Sequence, residues 1–168
     1  ADLALSRLNR LIDNLLDMSR IEAGKLKLNL DWHDPAEILQ KIVSQMQREF
    51  PERNKAQVNI GAGYLLKLDF NLVEKALYNV IRNAYIHNPP DVHVGVSISA
   101  EKNELRAVVE DNGPGIPADS QQSLFSRFSR GSDSGEGIGI GLSVVKGILE
   151  AHGAAIAFEP VLPHGARF

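Results

Sequence analysis

The spacing of apolar residues predicts one long amphipathic helix near the start of the chain. Between residues 2 and 23, leucine or isoleucine recurs every three or four positions, at Leu5, Leu8, Ile12 and Leu15. This spacing places the four side chains on one side of an α-helix. A single helix cannot bury such a stripe by itself. We therefore expect it to pack on the rest of the chain or on a helix of another chain.

Three further helices are predicted by the same spacing and by their end signals. Asp34 and Asp69 are typical N-cap residues, and the helices that follow them should extend to about residues 50 and 88. A last helix is expected over 139–152, with Gly153 in the C-cap position.

Alternating apolar and polar residues predict the strands. The clearest run covers 92–99, and a partner follows over 104–111. Shorter strands are expected at 26–32, 57–61, 64–68, 155–159 and around 168. The glycines at 61 and 63 predict a turn between the second and third of these. The chain should therefore be an α/β protein: a two-layer sandwich in which three helices cover one face of a mixed, mostly antiparallel sheet, plus the N-terminal amphipathic helix.

Composition narrows the possible partners. A chain of 168 residues that is 43% hydrophobic should form one main core. A net charge of -3 argues against nucleic acid as a partner. The chain has no cysteine, which excludes disulfides and thiolate metal sites and fits the cytoplasm. No apolar run is long enough to cross a membrane, so the anchor of a membrane-bound parent would lie outside this sequence.

Two asparagines stand out in the helix that begins after Asp69. Asn79 and Asn83 are four residues apart, so both amides lie on one flank of the helix beside its apolar face. Asparagine is a poor helix former, and either residue could instead be a solvated or locally bonded surface residue.

An acidic residue is directed towards the core at the end of the strand over 104–111. Leu105, Ala107 and Val109 share one face of that strand, and the same parity puts Asp111 on it. A buried carboxylate needs hydrogen-bond donors, and the exocyclic amino group of a purine is one such donor. The alternative is an aspartate that only fixes the glycine-proline turn that follows.

A glycine-rich segment over 135–142 leads directly into the last helix. Glycine lets the backbone approach a ligand closely, and a helix N-terminus offers unpaired amides and a positive dipole end to phosphates. A glycine hinge without a ligand is the alternative. The two commoner phosphate loops, G-x-x-x-x-G-K-[ST] and G-x-G-x-x-G after a strand, are absent from the sequence.

Taken in order, these segments resemble the sensor histidine kinase family. Residues 77–84 resemble its N box, 111–117 its first glycine box, 124–128 its phenylalanine box, 137–142 its second glycine box and 165–168 the start of its final strand. The resemblance implies the Bergerat fold shared with type II topoisomerases, a heat-shock chaperone and mismatch-repair ATPases. It divides the chain into residues 1–24, the C-terminal part of a dimerisation and phosphotransfer helix, and residues 25–168, an ATP-binding catalytic domain with a lid at about 112–138.

The resemblance also implies a cofactor site for ATP and Mg²⁺. Asn83 would hold the Mg²⁺ that bridges the phosphates, Asn79 would lie beside them, and Asp111 would hold the adenine amino group. The residues it assigns to nucleotide binding are Asn79, Asn83, His87, Asp111, Gly113, Gly115, Ile116, Arg127, Arg130, Gly137, Ile138, Gly139, Ile140, Gly141 and Leu142. The family often has a basic residue where this chain has Ile86, and His87 beside it is the candidate substitute.

The implied activity is transfer of the γ-phosphoryl group of ATP to a histidine. None of the five histidines lies on the N-terminal helix, so the acceptor would belong to a part of the same protein absent here, and the fragment alone should not autophosphorylate. The implied partners are this phosphoacceptor domain, a response regulator and a second copy of the full-length protein, in the cytoplasmic portion of a membrane-bound sensor. Two alternatives remain: a nucleotide-sensing or interaction module without kinase activity, and a serine kinase of the same superfamily.

Overall fold

The computed structural model describes residues 2–61, 63–101, 104–127 and 139–168. In these ranges the helices are α1 Asp2–Glu22, α2 Pro35–Glu49, α3 Phe70–Ile86, α4 Ala118–Gln121 and α5 Gly141–Ala151. The strands are β1 Asp31–His33, β2 Gln57–Ile60, β3 Leu66–Leu68, β4 Val94–Glu101, β5 Glu104–Asp111, β6 Glu159–Pro160 and β7 Ala166–Arg167.

Five of the strands form one mixed sheet in the order β2-β4-β5-β7-β6. Only the β2–β4 pair in this sheet is parallel, and the other three pairs are antiparallel. Along β4 the apolar residues Val94, Val96 and Ile98 are buried, while the residues between them are more exposed. They form a common core with the buried residues of α2, α3 and α5. The predicted fold class, a mixed and mostly antiparallel sheet under three helices, is confirmed.

Both predicted N-caps are present. The Asp34 carboxylate accepts a hydrogen bond from the backbone N–H of Ala36 at 2.8 Å, and the Asp69 carboxylate accepts one from Leu72 N–H at 3.1 Å. Each of these bonds satisfies an N–H group that has no partner inside its helix. The starts of α2 and α3 therefore follow from local sequence.

The predicted turn between the strands at 57–61 and 64–68 does not produce a hairpin. The strand β2 pairs in parallel with β4, whereas β3 pairs with β1 in a separate two-stranded sheet. The second carboxylate oxygen of Asp69 accepts a hydrogen bond from Asn29 N–H at 2.8 Å and thereby holds the segment before β1 beside β3. The strands expected at 26–32 and 155–159 are shorter in the structure and begin later in the chain, because only Asp31–His33 and Glu159–Pro160 pair with a neighbour. Local alternation does not determine which strand supplies the partner.

The helix α1 packs on the rest of the chain through a flank other than its leucine stripe. Met18 and Ile21 contact the core, and Asp17 forms a salt bridge with Lys75 of α3. The stripe at Leu5, Leu8, Ile12 and Leu15 remains 45–58% exposed, and so does the neighbouring Leu16. Of the two alternatives from the sequence, packing on the same chain is therefore realised without burying the stripe. Among the described residues, no helix is long and apolar enough to span a membrane.

Candidate functional site

The flank of α3 predicted to carry the two asparagines contains an unsatisfied buried amide. The side-chain nitrogen of Asn79 is buried and has no hydrogen-bond partner among the residues that the structure describes. Such groups are rare because each costs roughly 1–3 kcal/mol of stability. Asn83 lies one turn later and is half-buried. An oxygen-rich ligand on this flank would supply the acceptor that the Asn79 amide lacks.

The other flank of α3 is fixed by a cluster around Glu49 of α2. The Glu49 carboxylate accepts hydrogen bonds from Tyr78 at 2.6 Å, from Arg82 at 3.1 Å and from Arg10 of α1 at 3.0 Å. Burial alone would raise the pKa of Glu49, but these bonds and the two arginine charges outweigh it and hold the pKa below its usual value. Burial and the adjacent carboxylate raise the pKa of Tyr78 to about 12. The cluster fixes the rotation of α3 about its axis and therefore the direction in which the Asn79 flank faces.

Asp111 ends β5 with its side chain in the protein interior, as the strand parity predicts. The residue is only 5% exposed, and its carboxylate accepts a hydrogen bond from Gly113 N–H at 3.0 Å. Burial raises the pKa of Asp111. Hydrogen bonds from Gly113, Asn88 and Ala166 act in the opposite direction, and the nearby Glu110 carboxylate adds to the increase. The carboxylate is thus desolvated, and its donors among the described residues are neutral.

The first glycine segment is shaped by close packing within the chain. A Cβ atom at Gly113 would overlap the side-chain amide of Asn88. Gly115 has φ +79°, and a Cβ there would lie 3.1 Å from the carbonyl oxygen of Gly165. Ile116 is half-buried, and its carbonyl accepts a hydrogen bond from Gln121 at 2.8 Å. These glycines are explained by contacts inside the protein, whether or not a ligand also approaches them.

Asn88, which the sequence analysis did not single out, joins α3 to the Asp111 turn. Its side-chain nitrogen donates to the carbonyl oxygen of Ala84 at 2.8 Å, and the same amide interacts with the Asp111 carboxylate. An asparagine directly before two prolines at a helix end is a recognisable capping signal. The two sequence segments that carry Asn79 and Asp111 therefore meet at one junction. The seven helical steps from Asn79 to Ile86, the last residue of α3, correspond to about 10 Å along the axis, which suits an elongated ligand.

The described part of the second glycine segment forms the N-terminus of α5, which packs against α3. Gly139 has φ +69°, Ile140 is buried, and Gly141 and Leu142 begin the helix. Among the described residues, no side chain caps this N-terminus, and the Ser143 hydroxyl donates to Ile140 O at 2.8 Å. Its first amides are therefore available to an anion. The predicted residues Arg130, Gly137 and Ile138 lie outside the described residues.

Two other predicted residues have contacts of a different kind. Arg127 forms a salt bridge with Glu22 of α1, and both side chains are partly exposed. His87 is exposed at the C-cap of α3, where its N–H donates to Asn83 O at 3.1 Å. In the structure, Arg127 thus contacts a carboxylate of α1.

His152, which the sequence predicts only to lie at the end of a helix, has a structural role. Its Nε2 accepts a hydrogen bond from Asp69 N–H at 3.1 Å, and its Nδ1 lies 2.8 Å from the carbonyl oxygen of Ile148. This geometry requires the neutral tautomer with the proton on Nδ1. The imidazole thereby ties the end of α5 to the start of α3.

Two open cavities lie outside the flank of α3 that carries Asn79 and Asn83, and Asp111 is among the residues that line the one beside the sheet. One of about 540 Å³ is enclosed by α1, residues 125–127 and α5, and another of about 460 Å³ lies against the sheet beside β2 and β4. Neither is lined by Asn79 or Asn83. Residues 128–138, which include most of the second half of the predicted lid, lie outside the described residues.

A metal ion at this site would need ligand atoms from a bound phosphate group in addition to those of the protein. The described ranges contain no group of three or more His, Cys, Asp or Glu side chains that could hold one. The Asn83 amide oxygen is a suitable ligand for Mg²⁺, and phosphate oxygens and water would complete its shell. The orphaned Asn79 amide and the open amides of α5 fit such a phosphate-bearing group.

Comparisons with known proteins identify the family and the fold. Residues 68–168 match the family model described as histidine kinase-, DNA gyrase B- and HSP90-like ATPase. The sensor protein KdpD of Escherichia coli is 30% identical over 152 residues, which cover 88% of this chain but only 17% of KdpD.

Two solved structures extend the comparison. The mycobacterial sensor histidine kinase MprB is 26% identical with a TM-score of 0.74, and the match covers 82% of this chain and 93% of that one. Full-length ShkA in complex with AMPPNP has a TM-score of 0.81 at 24% identity, and it covers 96% of this chain and 34% of that one. The ShkA likeness concerns the fold alone.

Proposed function

Because this chain belongs to the family of histidine kinase-, DNA gyrase B- and HSP90-like ATPases, we propose that it binds Mg-ATP and transfers the γ-phosphoryl group to a histidine. That histidine would lie on a dimerisation and phosphotransfer domain of the same protein, of which residues 1–24 are the C-terminal part and residues 25–168 the catalytic partner. The relatives named above as sensor proteins support a place in two-component signalling.

One observation carries the proposal: the buried, unpartnered amide of Asn79 lies on the helix whose C-terminal end is joined to Asp111 through Asn88. A nucleotide would satisfy both ends of this arrangement, with its base at Asp111 and its phosphates beside Asn79. Asn83 would hold Mg²⁺ against the phosphates, and the open amides at Gly141 and Leu142 would add hydrogen bonds to them. The bound AMPPNP named for ShkA is consistent with this choice of ligand.

The residue at position 79 favours phosphoryl transfer over hydrolysis. ATPase branches of the superfamily use a glutamate there as a general base for water, and an asparagine amide cannot accept a proton. Transfer to a histidine needs mainly positioning and charge neutralisation, because imidazole is already nucleophilic near neutral pH. The site would therefore direct the γ-phosphoryl group to an imidazole.

The wider assignments follow from this proposal. The acceptor histidine, a response regulator that receives the phosphoryl group, and a homodimer of the full-length protein are the expected partners. The expected location is the cytoplasmic portion of a membrane-bound sensor. Gly137, Ile138 and Arg130 are expected to join Gly139 and Ile140 around the phosphates. Arg127 would have to leave Glu22 to reach them.

The decisive experiment supplies the missing helical domain in trans. The chain is incubated with that domain and γ-labelled ATP, and the label should appear on the histidine of the added domain and not on the chain itself. Asn83→Ala should abolish the transfer, whereas the exposed Glu52→Ala should leave it unchanged. Absence of label with the wild-type chain, despite ATP binding, would reject the kinase proposal.

A second candidate is a nucleotide-sensing module that binds ATP without transferring it. Ile86 favours this candidate, because the sensor histidine kinase family that the sequence resembles often has a basic residue at that position and Ile86 cannot make such a phosphate contact. The two candidates give different results in the same experiment. A sensing module would be stabilised by Mg-ATP in a melting assay and would give no labelled histidine.

A further inference from the structure

We propose that Asn88 is a positioning residue that sets the base selectivity of the site, by holding the Asp111 carboxylate as an acceptor for the exocyclic amino group of adenine. This inference rests on the proposed function, because it assumes that the site takes an adenine nucleotide. It concerns a residue outside the set first assigned to binding.

Asn88 is itself held firmly from two sides. Its side-chain nitrogen donates to the carbonyl oxygen of Ala84 at 2.8 Å, and its backbone carbonyl oxygen accepts a hydrogen bond from Arg53 at 2.9 Å. Arg53 in turn lies over the ring of Phe50, which stacks on Tyr85 of α3. Asn88 is therefore fixed to α3 and to the segment that follows α2.

The contact with Gly113 makes Asn88 part of the Asp111 turn. Any side chain at Gly113 would overlap the Asn88 amide, so the peptide of Gly113 lies directly against it. That peptide N–H donates to the Asp111 carboxylate at 3.0 Å, and the Asn88 amide interacts with the same carboxylate. Asn88 thus orients Asp111 both directly and through Gly113.

The donor count leaves room for one ligand donor. A carboxylate has about four lone-pair positions, and the donors of Gly113, Asn88 and Ala166 occupy part of this capacity. An ionised carboxylate only accepts hydrogen bonds, so it favours a base that presents an N–H group. A base without that group would leave the buried carboxylate short of a donor, and this is the physical origin of the selectivity.

Two influences act against ionisation of Asp111, and the Asn88 donor opposes both of them. Burial and the neighbouring Glu110 favour the protonated form of Asp111 and raise its pKa. Glu110 is itself paired with Arg167 at 2.6 Å, which moderates its effect. A protonated Asp111 could also donate a hydrogen bond and would discriminate bases poorly. The Asn88 amide opposes protonation and so preserves selectivity.

The test compares ADP with purine riboside diphosphate, which lacks only the exocyclic amino group. Isothermal titration calorimetry gives the Kd of each for the wild-type chain, for Asn88→Ala and for Asn54→Ala. Asn54 is a matched control, because its amide also bonds backbone carbonyls, those of Asp91 and Val92, away from Asp111. We expect Asn88→Ala to weaken ADP binding about tenfold, as for loss of a charged hydrogen bond. Its affinity for the purine analogue should hardly change, and the control should keep the wild-type preference.

A pH series separates positioning from general damage. Asn88→Ala should raise the pKa of Asp111, so its ADP affinity should begin to decline at a higher pH than that of the wild type. The carboxyl carbon signal of Asp111 in an NMR titration should show the same upward shift. Asn88→Ser, which retains a short donor, should recover part of the selectivity and of the titration midpoint.

The possible outcomes are distinct. If the wild-type chain does not bind ADP, the proposed function and this inference both fail. If it binds ADP selectively and Asn88→Ala keeps both the selectivity and the pH profile, this inference fails and the proposed function stands. If Asn88→Ala does not fold, Asn88→Leu takes its place, because leucine has a similar volume and no donor, and a wild-type ADP preference with a wild-type midpoint in that variant would overturn the inference.

Discussion

Two desolvated acids in this chain are stabilised in opposite ways. Glu49 is surrounded by Arg10, Arg82 and the Tyr78 hydroxyl, and its pKa is lowered. Asp111 is surrounded by neutral amide donors with Glu110 nearby, and its pKa is raised. Within the part of the chain that the structure describes, the fold thus supplies cations to Glu49 and none to Asp111. An acid that ties three helices together has charged partners within the protein, whereas the acid in the candidate site is held by neutral donors and keeps capacity for a donor of a ligand.

The largest expected effect comes from removing Glu49. In Glu49→Ala, the free energy of unfolding should fall by about 3 kcal/mol, because two arginines and a tyrosine hydroxyl lose their shared acceptor. Chemical denaturation measures the loss, and the exposed Glu52→Ala should change it little. ADP affinity of the folded variant should remain close to wild type. A large loss of ADP affinity without loss of stability would contradict a structural role for Glu49.

Removing the charge of Asp111 should have the reverse effect: nucleotide binding should weaken while stability is kept. Asp111→Asn should weaken ADP binding by roughly tenfold to a hundredfold, as expected for a lost hydrogen bond to a charged group. Its stability without nucleotide should be unchanged or slightly higher, because a desolvated carboxylate is replaced by a neutral amide. Calorimetry with ADP and denaturation without it give the two quantities. Equal losses in both would show that Asp111 serves the fold in the same way as Glu49.

The pH dependence of stability should also differ in sign between the two acids. The folded pKa of Glu49 lies below 4.5, so its stabilising contribution is present above about pH 4.5 and is lost as pH falls through the lowered pKa. The folded pKa of Asp111 lies above 3.8, so its contribution is present below about pH 3.8 and is lost as pH rises through the raised pKa.

Denaturation curves at several pH values test these signs. Glu49→Gln should make stability fall less steeply in acid, and Asp111→Asn should make it fall more steeply. If stability depended on pH with the same slope in both variants, the opposite pKa shifts of Glu49 and Asp111 would be contradicted.

The smallest effect is expected for a third, exposed carboxylate. Glu22 pairs with Arg127 at the surface, and Glu22→Ala should change the free energy of unfolding by less than about 1 kcal/mol. If Arg127 must leave this pair to reach a nucleotide, the variant should bind Mg-ATP as well as the wild type or better. Weaker binding would instead indicate that the pair holds Arg127 in place for the ligand.

Much of the fold follows from local signals. The caps at Asp34 and Asp69, the strand β5 and the inward direction of Asp111 all depend on residues close in sequence, and all four were predicted correctly. The partner of β3 was predicted wrongly, because the hydrogen bond from Asn29 and the pairing with β1 involve residues more than thirty positions away. Alternation gives a strand its two faces but does not select its neighbour.

The candidate site divides in the same way. The sequence order of Asn79, Asn83 and the glycine segments was sufficient to suggest a nucleotide, and the family match over 68–168 agrees with it. Asn88 was missed, because its amide reaches Asp111 and Gly113 only after α3 packs beside β5. The salt bridge from Arg127 to Glu22 likewise depends on where α1 docks.

The sequence by itself determined the helices, the strand faces and the residue types of the candidate site, because these depend on periodicity and side-chain chemistry. Only the tertiary structure decided how they combine. It set which flank of α1 packs on the chain, leaving Leu8 and Ile12 exposed. It also set which acid receives arginine partners and which asparagine supports Asp111. These outcomes depend on contacts between distant residues, whose free energies no local pattern contains.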